Sequence, residues 1–195
     1  MDSWASCPFV FLGQKLYSGT RSPAKSWSAI IQEMKIKIRK AVAADASMVA
    51  DILTEATHYK LQQGDTSWGS DAYSAAEVRA VLDDTYLVCV GEEPVGTVVL
   101  QWEDKLYWGD QPPHAGYIHK LAVKQHVHGL RIGEQTIAWA LLQVKERGRG
   151  LLRLDCRAIN TGLGGYYERQ GFRRVGTVRV RGADTALYEK KVTNA

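Results

Sequence analysis

Residues 117–134 read Tyr117-Ile-His119-Lys-Leu121-Ala-Val123-Lys-Gln-His-Val-His128-Gly129-Leu-Arg131-Ile-Gly133-Glu134. The first seven form a buried strand that runs into a turn holding two glycines. A long amphipathic helix starts there, spans 130–147 and is ended by Gly148. A turn of this kind points free backbone N–H groups outward at the positive end of the helix dipole, where a phosphate is readily held. It is not a Walker loop, since GxxxxGK[ST] is absent, and it is not the GxGxxG dinucleotide fingerprint. Taken alone, it is equally a glycine-containing loop that merely starts a helix.

Downstream, 151–157 reads as a strand, 162–170 as a helix closed by Gly171, and 172–180 with 186–192 as a final strand pair. Asn160 follows the strand, and an Asn there can offer its amide to another amide-bearing chain. Tyr166 and Tyr167 lie on the helix. A tyrosine hydroxyl, with a pKa of about 10, can protonate a thiolate of pKa about 8.5, although both rings also suit a core. Upstream, 35–40 alternates apolar and basic residues like a half-buried strand. Asp45 is placed to cap a helix whose apolar positions are Met48, Val49, Ile52 and Leu53. Residues 62–73, with Trp68, form a loop, and Ser74 with Glu77 makes a capping box for a short helix to Leu82. Residues 86–90 and 95–102 flank Gly91-Glu-Glu-Pro94 as a β-hairpin, and 109–115 is a loop. Hairpins interrupted by helices, with a strand–helix–strand unit at 117–157, describe an α+β fold.

The chain has 195 residues, 45% hydrophobic and 24% charged, which suits one globular domain and excludes a disordered or fibrous protein. No apolar run approaches the roughly 20 residues of a membrane-spanning helix, and the N-terminus lacks a secretory signal pattern. Residues 1–33, Ser-rich with scattered aromatics, are expected to be an arm, and 34–195 the domain proper. Cys89 and Cys156 sit in apolar runs and read as buried free thiols of a reducing compartment. Without a CxxC or His/Cys spacing suited to zinc, no metal is expected. The net charge of +4 is mild but uneven. Residues 65–115 hold 2 Lys/Arg against 10 Asp/Glu, whereas 116–195 hold 15 against 6. That division suggests two ligands of opposite sign, or accidental clustering on solvated faces.

The turn and the later helix together resemble the acetyl-CoA-binding motifs of the GCN5-related N-acetyltransferase (GNAT) superfamily. The family's N-x₆-Y-E-x-x-G-F is met by Asn160, Tyr167, Glu168, Gly171 and Phe172 without a gap. Its Q/R-x-x-G-x-G/A loop is met only in part: His128 replaces Gln or Arg, Arg131 replaces the first glycine, and Gly133 fits. The arginine keeps its N–H and adds a cation, so the site survives if Arg131 has dihedrals ordinary for the start of a helix. The resemblance covers about residues 35–192 and implies a mixed, mostly antiparallel central sheet, flanked by helices and splayed between its fourth and fifth strands.

It further implies that the backbone of Leu121, Ala122 and Val123 pairs with the pantetheine arm of acetyl-CoA. His128, Gly129, Leu130, Arg131, Ile132, Gly133 and Glu134 surround the pyrophosphate, Asn160 and Tyr166 complete the cofactor site, and Tyr167 protonates the departing thiolate. Acetyl transfer needs a neutral amine, and His119, on the same strand, is the first candidate base, with Glu103 and Asp155 as others. Trp68, Asp71, Trp102 and Tyr107, with Trp108 and Asp110, combine aromatic faces with carboxylates and are the expected acceptor contacts. The acidic middle segment makes a small cationic amine the expected acceptor. A non-catalytic acyl-CoA-binding regulator and a protein or peptide acetyltransferase are the alternatives. A cytoplasmic enzyme that can form a homodimer is expected, with no membrane and no nucleic-acid partner, since the basic residues follow no motif that reads or stacks bases.

Overall fold

The computed structural model describes residues 36–193. The expected arm at 1–33 lies outside them. Seven strands form one sheet: β1 (Ile36–Lys40), β2 (Thr85–Val90), β3 (Glu93–Gln101), β4 (Ala115–Val123), β5 (Leu151–Arg157), β6 (Arg173–Val180) and β7 (Ala183–Lys191). Their order is β1-β2-β3-β4-β5-β7-β6. Every neighbouring pair is antiparallel except β4 with β5. A parallel pair needs a crossover, and the helix between those two strands supplies it. The helices are α1 (Ala46–Gln62), α2 (Ala75–Arg79), α3 (Lys105–Trp108), α4 (Ile132–Glu146) and α5 (Thr161–Arg169). None is long and apolar enough to cross a membrane.

Alternation along β2 and β3 feeds two cores. Val88, Val98 and Leu100 join Ile137, Ala140 and Val144 of α4 and Leu152 and Leu154 of β5 on one face. Leu87 and Cys89 join Val49, Ile52 and Leu53 of α1 and Val78 of α2 on the other. A sheet covered on both faces explains why its central strands are near-continuous apolar runs. Glycines admit close packing at the centre: a Cβ on Gly116 would stand 2.6 Å from Val144 Cγ2.

Two local expectations need correction. Asp45 makes no capping bond. Its carboxylate instead accepts from Arg39 Nη1 and Nη2, both at 2.7 Å, and from the Val42 N–H at 2.8 Å. Chiefly through the Arg39 bond, its pKa is lowered to about 2. The long helix begins at Ile132, two residues later than the glycines suggest. The capping box at α2 is present, with Glu77 N–H donating to Ser74 Oγ at 3.2 Å and Ser74 N–H to Glu77 Oε2 at 2.8 Å.

Candidate active site

The cleft begins where two strands part. β4 ladders with β5 only from Ala115 to Ile118, opposite Leu151 to Leu154, and the two strands then continue without pairing with each other. On the other side of β4, Thr97 faces Ala122 and Val99 faces His119, so Lys120 and Leu121 together oppose one residue of β3. This is a β-bulge, and Lys120 takes the left-handed conformation it requires, with φ 50°. A bulge sharpens the strand twist, and here it lies just beyond the last β4–β5 pair. The cleft has a volume of about 970 Å³ and is lined from β4, the following turn, β5, α5 and the loop after α1.

At one end lies the turn into α4. The first helical bond runs from the Gln135 N–H to the Arg131 carbonyl, at 3.1 Å. The N–H groups of the residues before Gln135 therefore precede the helical ladder and are available to an anion. Arg131 does not have the dihedrals of an ordinary helix start: φ is 58° and ψ 23°, the left-handed region. The glycine usual at this point of the motif is thereby explained, since only glycine takes that conformation without cost. The arginine leaves the crevice clear, because its guanidinium pairs outward with Glu134 at 2.7 Å and its side chain is 72% exposed. Tyr166 closes over the turn, and a Cβ on Gly133 would meet its Oη at 3.0 Å. His128 contacts the Val123 carbonyl through Nε2 at 3.0 Å. Since a carbonyl only accepts, that nitrogen carries the proton. The His128 ring stands edge-on to Tyr59 at 4.9 Å.

Asn160 and Leu130 do not line the cleft. Both ends of the Asn160 amide are engaged: Oδ1 accepts from the Leu163 N–H at 3.0 Å, capping α5, and Nδ2 donates to Asp65 Oδ2 at 2.7 Å. Asp65 also pairs with Lys60 at 2.6 Å, which ties the loop after α1 across to α5. Tyr167 does reach the cleft wall. Its ring lies among Tyr166, Phe172 and Tyr188 at centroid distances of 5.6, 6.0 and 5.8 Å. Burial drives its pKa far above the ordinary tyrosine value, so the phenol stays protonated. Cys156, beside it, is a free thiol pushed up to about 11, mainly by burial.

Across the cleft, His119 stands between two carboxylates. Nε2 faces Asp104 Oδ2 at 3.4 Å and Nδ1 faces Asp155 Oδ1 at 3.8 Å. Neither contact is a formed hydrogen bond, and His119 Nε2 and Asp104 Oδ2 remain buried without a partner among the described residues. Asp104 is placed by α3, where its Oδ1 accepts from the Tyr107 N–H at 3.2 Å. Burial lowers the His119 pKa, against the opposing pull of Asp104. Burial raises that of Asp155 to about 7, with the Asp104 charge adding and Lys120 subtracting. Atoms of these three side chains lie within 4.8 Å of one another. Each ring nitrogen nevertheless addresses a different carboxylate, which suits proton sharing better than one shared cation. Glu103, another expected base, is exposed on the loop before α3 and does not line the cleft.

Trp68, Asp71 and Tyr107 line the cleft, but Trp102, Trp108 and Asp110 do not. Trp102 is held between the guanidinium groups of Arg147 and Arg149, at 4.3 and 5.0 Å from its ring. Trp108 lies under Arg153 at 4.4 Å. Asp110 is exposed and faces Lys105 at 3.4 Å. The charge division of the sequence does not carry over to the cleft. Of the ten carboxylates in 65–115, only Asp65, Asp71 and Glu77 line it, joined by Glu134 and Asp155 and by the cations Lys60, Lys120, Arg131, Arg157 and Arg181. Local charge in sequence failed here because most of those acids face outward from the hairpin and from α3. Asp104, Tyr73, Lys120 and Arg181 carried no sequence signal, since a bulge, a four-residue helix and a hairpin tip bring them in.

The cleft suits the acetyl-CoA that the resemblance implies. It offers helix-start N–H groups, a β4 edge left free by β5, and a glycine roofed by Tyr166. The chain matches the acetyltransferase (GNAT) family over residues 50–172. It is 25% identical over 169 residues to the uncharacterized N-acetyltransferase YesJ of Bacillus subtilis (strain 168), covering 78% of this chain and 88% of that one. Its fold is similar to a GNAT-family acetyltransferase of Listeria monocytogenes, with a TM-score of 0.68 and 22% identity, over 80% of this chain and 94% of that one. It is also similar to yncA, described as an acetyltransferase of Salmonella typhimurium and solved with its cofactor acetyl-CoA. There the TM-score is 0.62 and the identity 11%, over 83% of this chain and 96% of that one. The chain belongs to the acetyltransferase (GNAT) family and is a GNAT-type N-acetyltransferase.

Proposed function

We propose that this cleft moves an acetyl group from acetyl-CoA to the primary amine of a small acceptor by direct attack on the thioester. The observation that carries this reading is the placement of Asp155 and His119 on one wall and Tyr167 on another, at the point where β4 and β5 part. Bound there, acetyl-CoA supplies an activated acyl carbon and a thiolate leaving group. The N–H groups of Arg131, Ile132, Gly133 and Glu134 hold the pyrophosphate, and the free edge of β4 at Leu121, Ala122 and Val123 aligns the pantetheine.

An ammonium has no lone pair, so the acceptor must lose a proton before or during attack. Asp155, with a pKa near neutrality and an open face to the cleft, accepts that proton. His119, kept neutral by burial, takes a share through Nδ1, and Asp104 at Nε2 stabilises the ring as it gains charge. Tyr167 donates its phenolic proton to the departing sulfur. Glycine-like backbone at Lys120 opens the strand beside the carbonyl of the acyl group, where a main-chain N–H can stabilise developing negative charge.

The test follows CoA thiol release against a panel of small amines, with Tyr167→Phe as the informative variant. Turnover is expected to fall about 10²-fold with acetyl-CoA affinity within about twofold of wild type. Failure to bind acetyl-CoA, or full turnover by Tyr167→Phe, rejects the mechanism.

A further inference from the structure

Lys120 is a partly buried cation with no carboxylate partner among the described residues. Its ammonium lies 4.8 Å from the Trp68 ring and 4.7 Å from the Tyr73 ring, and donates to the Tyr73 hydroxyl. Burial lowers its pKa, Lys60 and Arg181 add to that, and the carboxylates of Glu77 and Asp155 oppose it without pairing with it. Lys60 is already committed to Asp65 at 2.6 Å. Arg181, at the tip of the β6–β7 hairpin, reaches the cleft and makes no ion pair or hydrogen bond among the described residues. Withdrawing a cation from water without a counter-ion is costly, and the cost falls when a ligand brings the missing anion.

The position of this unmatched charge says which ligand brings it. Lys120 lies next to His119 on β4 and lines the cleft, well ahead in the chain of the turn at 128–134 that suits a pyrophosphate. Lys120 and Asp155 both line the cleft without forming an ion pair, so a gap separates the two charges. A molecule spanning that gap puts a nitrogen at Asp155 and an anion at Lys120. The ammonium rests against the Trp68 and Tyr73 rings and on the Tyr73 hydroxyl, in the cleft that all three residues line.

We infer that the acceptor is an amine that also carries a carboxylate a few bonds from its nitrogen, an amino acid or a small molecule of that pattern. The amine sits at Asp155 and His119, and the carboxylate sits between Lys120 and Arg181. The inference rests on the acetyl-transfer reading above, and it replaces the small cationic amine suggested by segment charge with a zwitterion.

The test uses the full chain, acetyl-CoA and matched acceptor pairs, amino acids against their own carboxamides, with a linear polyamine as a third class. The expected result is a kcat/KM at least about tenfold higher for each carboxylate than for its carboxamide. In Lys120→Gln and in Arg181→Gln that ratio falls toward one, while acetyl-CoA affinity measured by calorimetry stays within about twofold. Arg181→Gln lies on an exposed hairpin tip and serves if Lys120→Gln does not fold. Carboxamides or the polyamine used as well as the carboxylates overturn the inference and leave acetyl transfer standing. Loss of acetyl-CoA affinity in these variants, with the ratio intact, also overturns it and assigns the anion to the cofactor's phosphates. Bound acetyl-CoA without turnover of any amine overturns the acetyl-transfer reading and this inference with it.

Discussion

Replacing Asp155 by Asn removes a buried charge and keeps the shape. Its pKa is raised from the ordinary 3.8 to about 7, first by burial and then by Asp104. Between those values the folded chain holds a proton that the unfolded chain has released. Stability therefore falls as pH rises through that window, and the loss is complete above it. Roughly three units at about 1.4 kcal/mol each place the full loss at about 4 kcal/mol. The side chain is 16% exposed, so solvent screening reduces this only modestly. The Asp155→Asn chain escapes the loss, and its advantage over wild type should grow from near zero at about pH 4 to about 4 kcal/mol at about pH 8. His119 acts in the opposite sense. Its lowered pKa means that stability is lost as pH falls below about 6.5 and is retained above. Because His119 faces Asp155 at 3.8 Å, the difference between the two chains reports Asp155 together with its coupling to the ring. Urea denaturation of both proteins at intervals across this range measures the difference. A stability difference that stays flat with pH refutes the raised carboxyl. Turnover of the variant should also be low at every pH, without the rise near neutrality that titration of Asp155 gives the wild type.

Two further perturbations test the turn and the sheet. Arg131→Gly relieves a left-handed φ of 58° but frees the unfolded chain and removes the outward pair with Glu134, so thermal unfolding should move by no more than about 2 °C. A fall beyond about 5 °C would mean that the ion pair holds the turn and the backbone does not. Gly116→Ala forces a Cβ to within 2.6 Å of Val144 Cγ2 and 3.3 Å of Trp102 Cζ3, and should cost about 1–3 kcal/mol in urea denaturation. An unchanged midpoint would show that α4 is free to move off β4.

Much of the order of elements was legible because periodicity and turn chemistry are local. Alternation marked β1, the capping residues Ser74 and Glu77 marked α2, and glycines at 148 and 171 stopped two helices with φ of 69° and 82°. The spacing of Asn160 and Tyr167 was sufficient to point to the family. Local rules misled at Asp45, where a cap was expected and Arg39, on the preceding strand, took the carboxylate. They misled again at Arg131, whose departure from the motif left the left-handed backbone in place. At Asn160 the expected amide is present, but Asp65, 95 residues earlier, holds its nitrogen and the Leu163 N–H its oxygen.

Chain chemistry alone placed most of the strands and helices and marked the glycine-bearing turn and the tyrosine-bearing helix, because those properties depend on neighbours a few residues apart. Folding in three dimensions decided the rest. It brought Asp104, His119 and Asp155 within one hydrogen-bonding neighbourhood from three separate elements, turned Trp102 away from the cleft, and set Lys120 on a bulge between two aromatic rings. Proton affinity and charge balance depend on burial and on through-space neighbours, and neither is written along the chain.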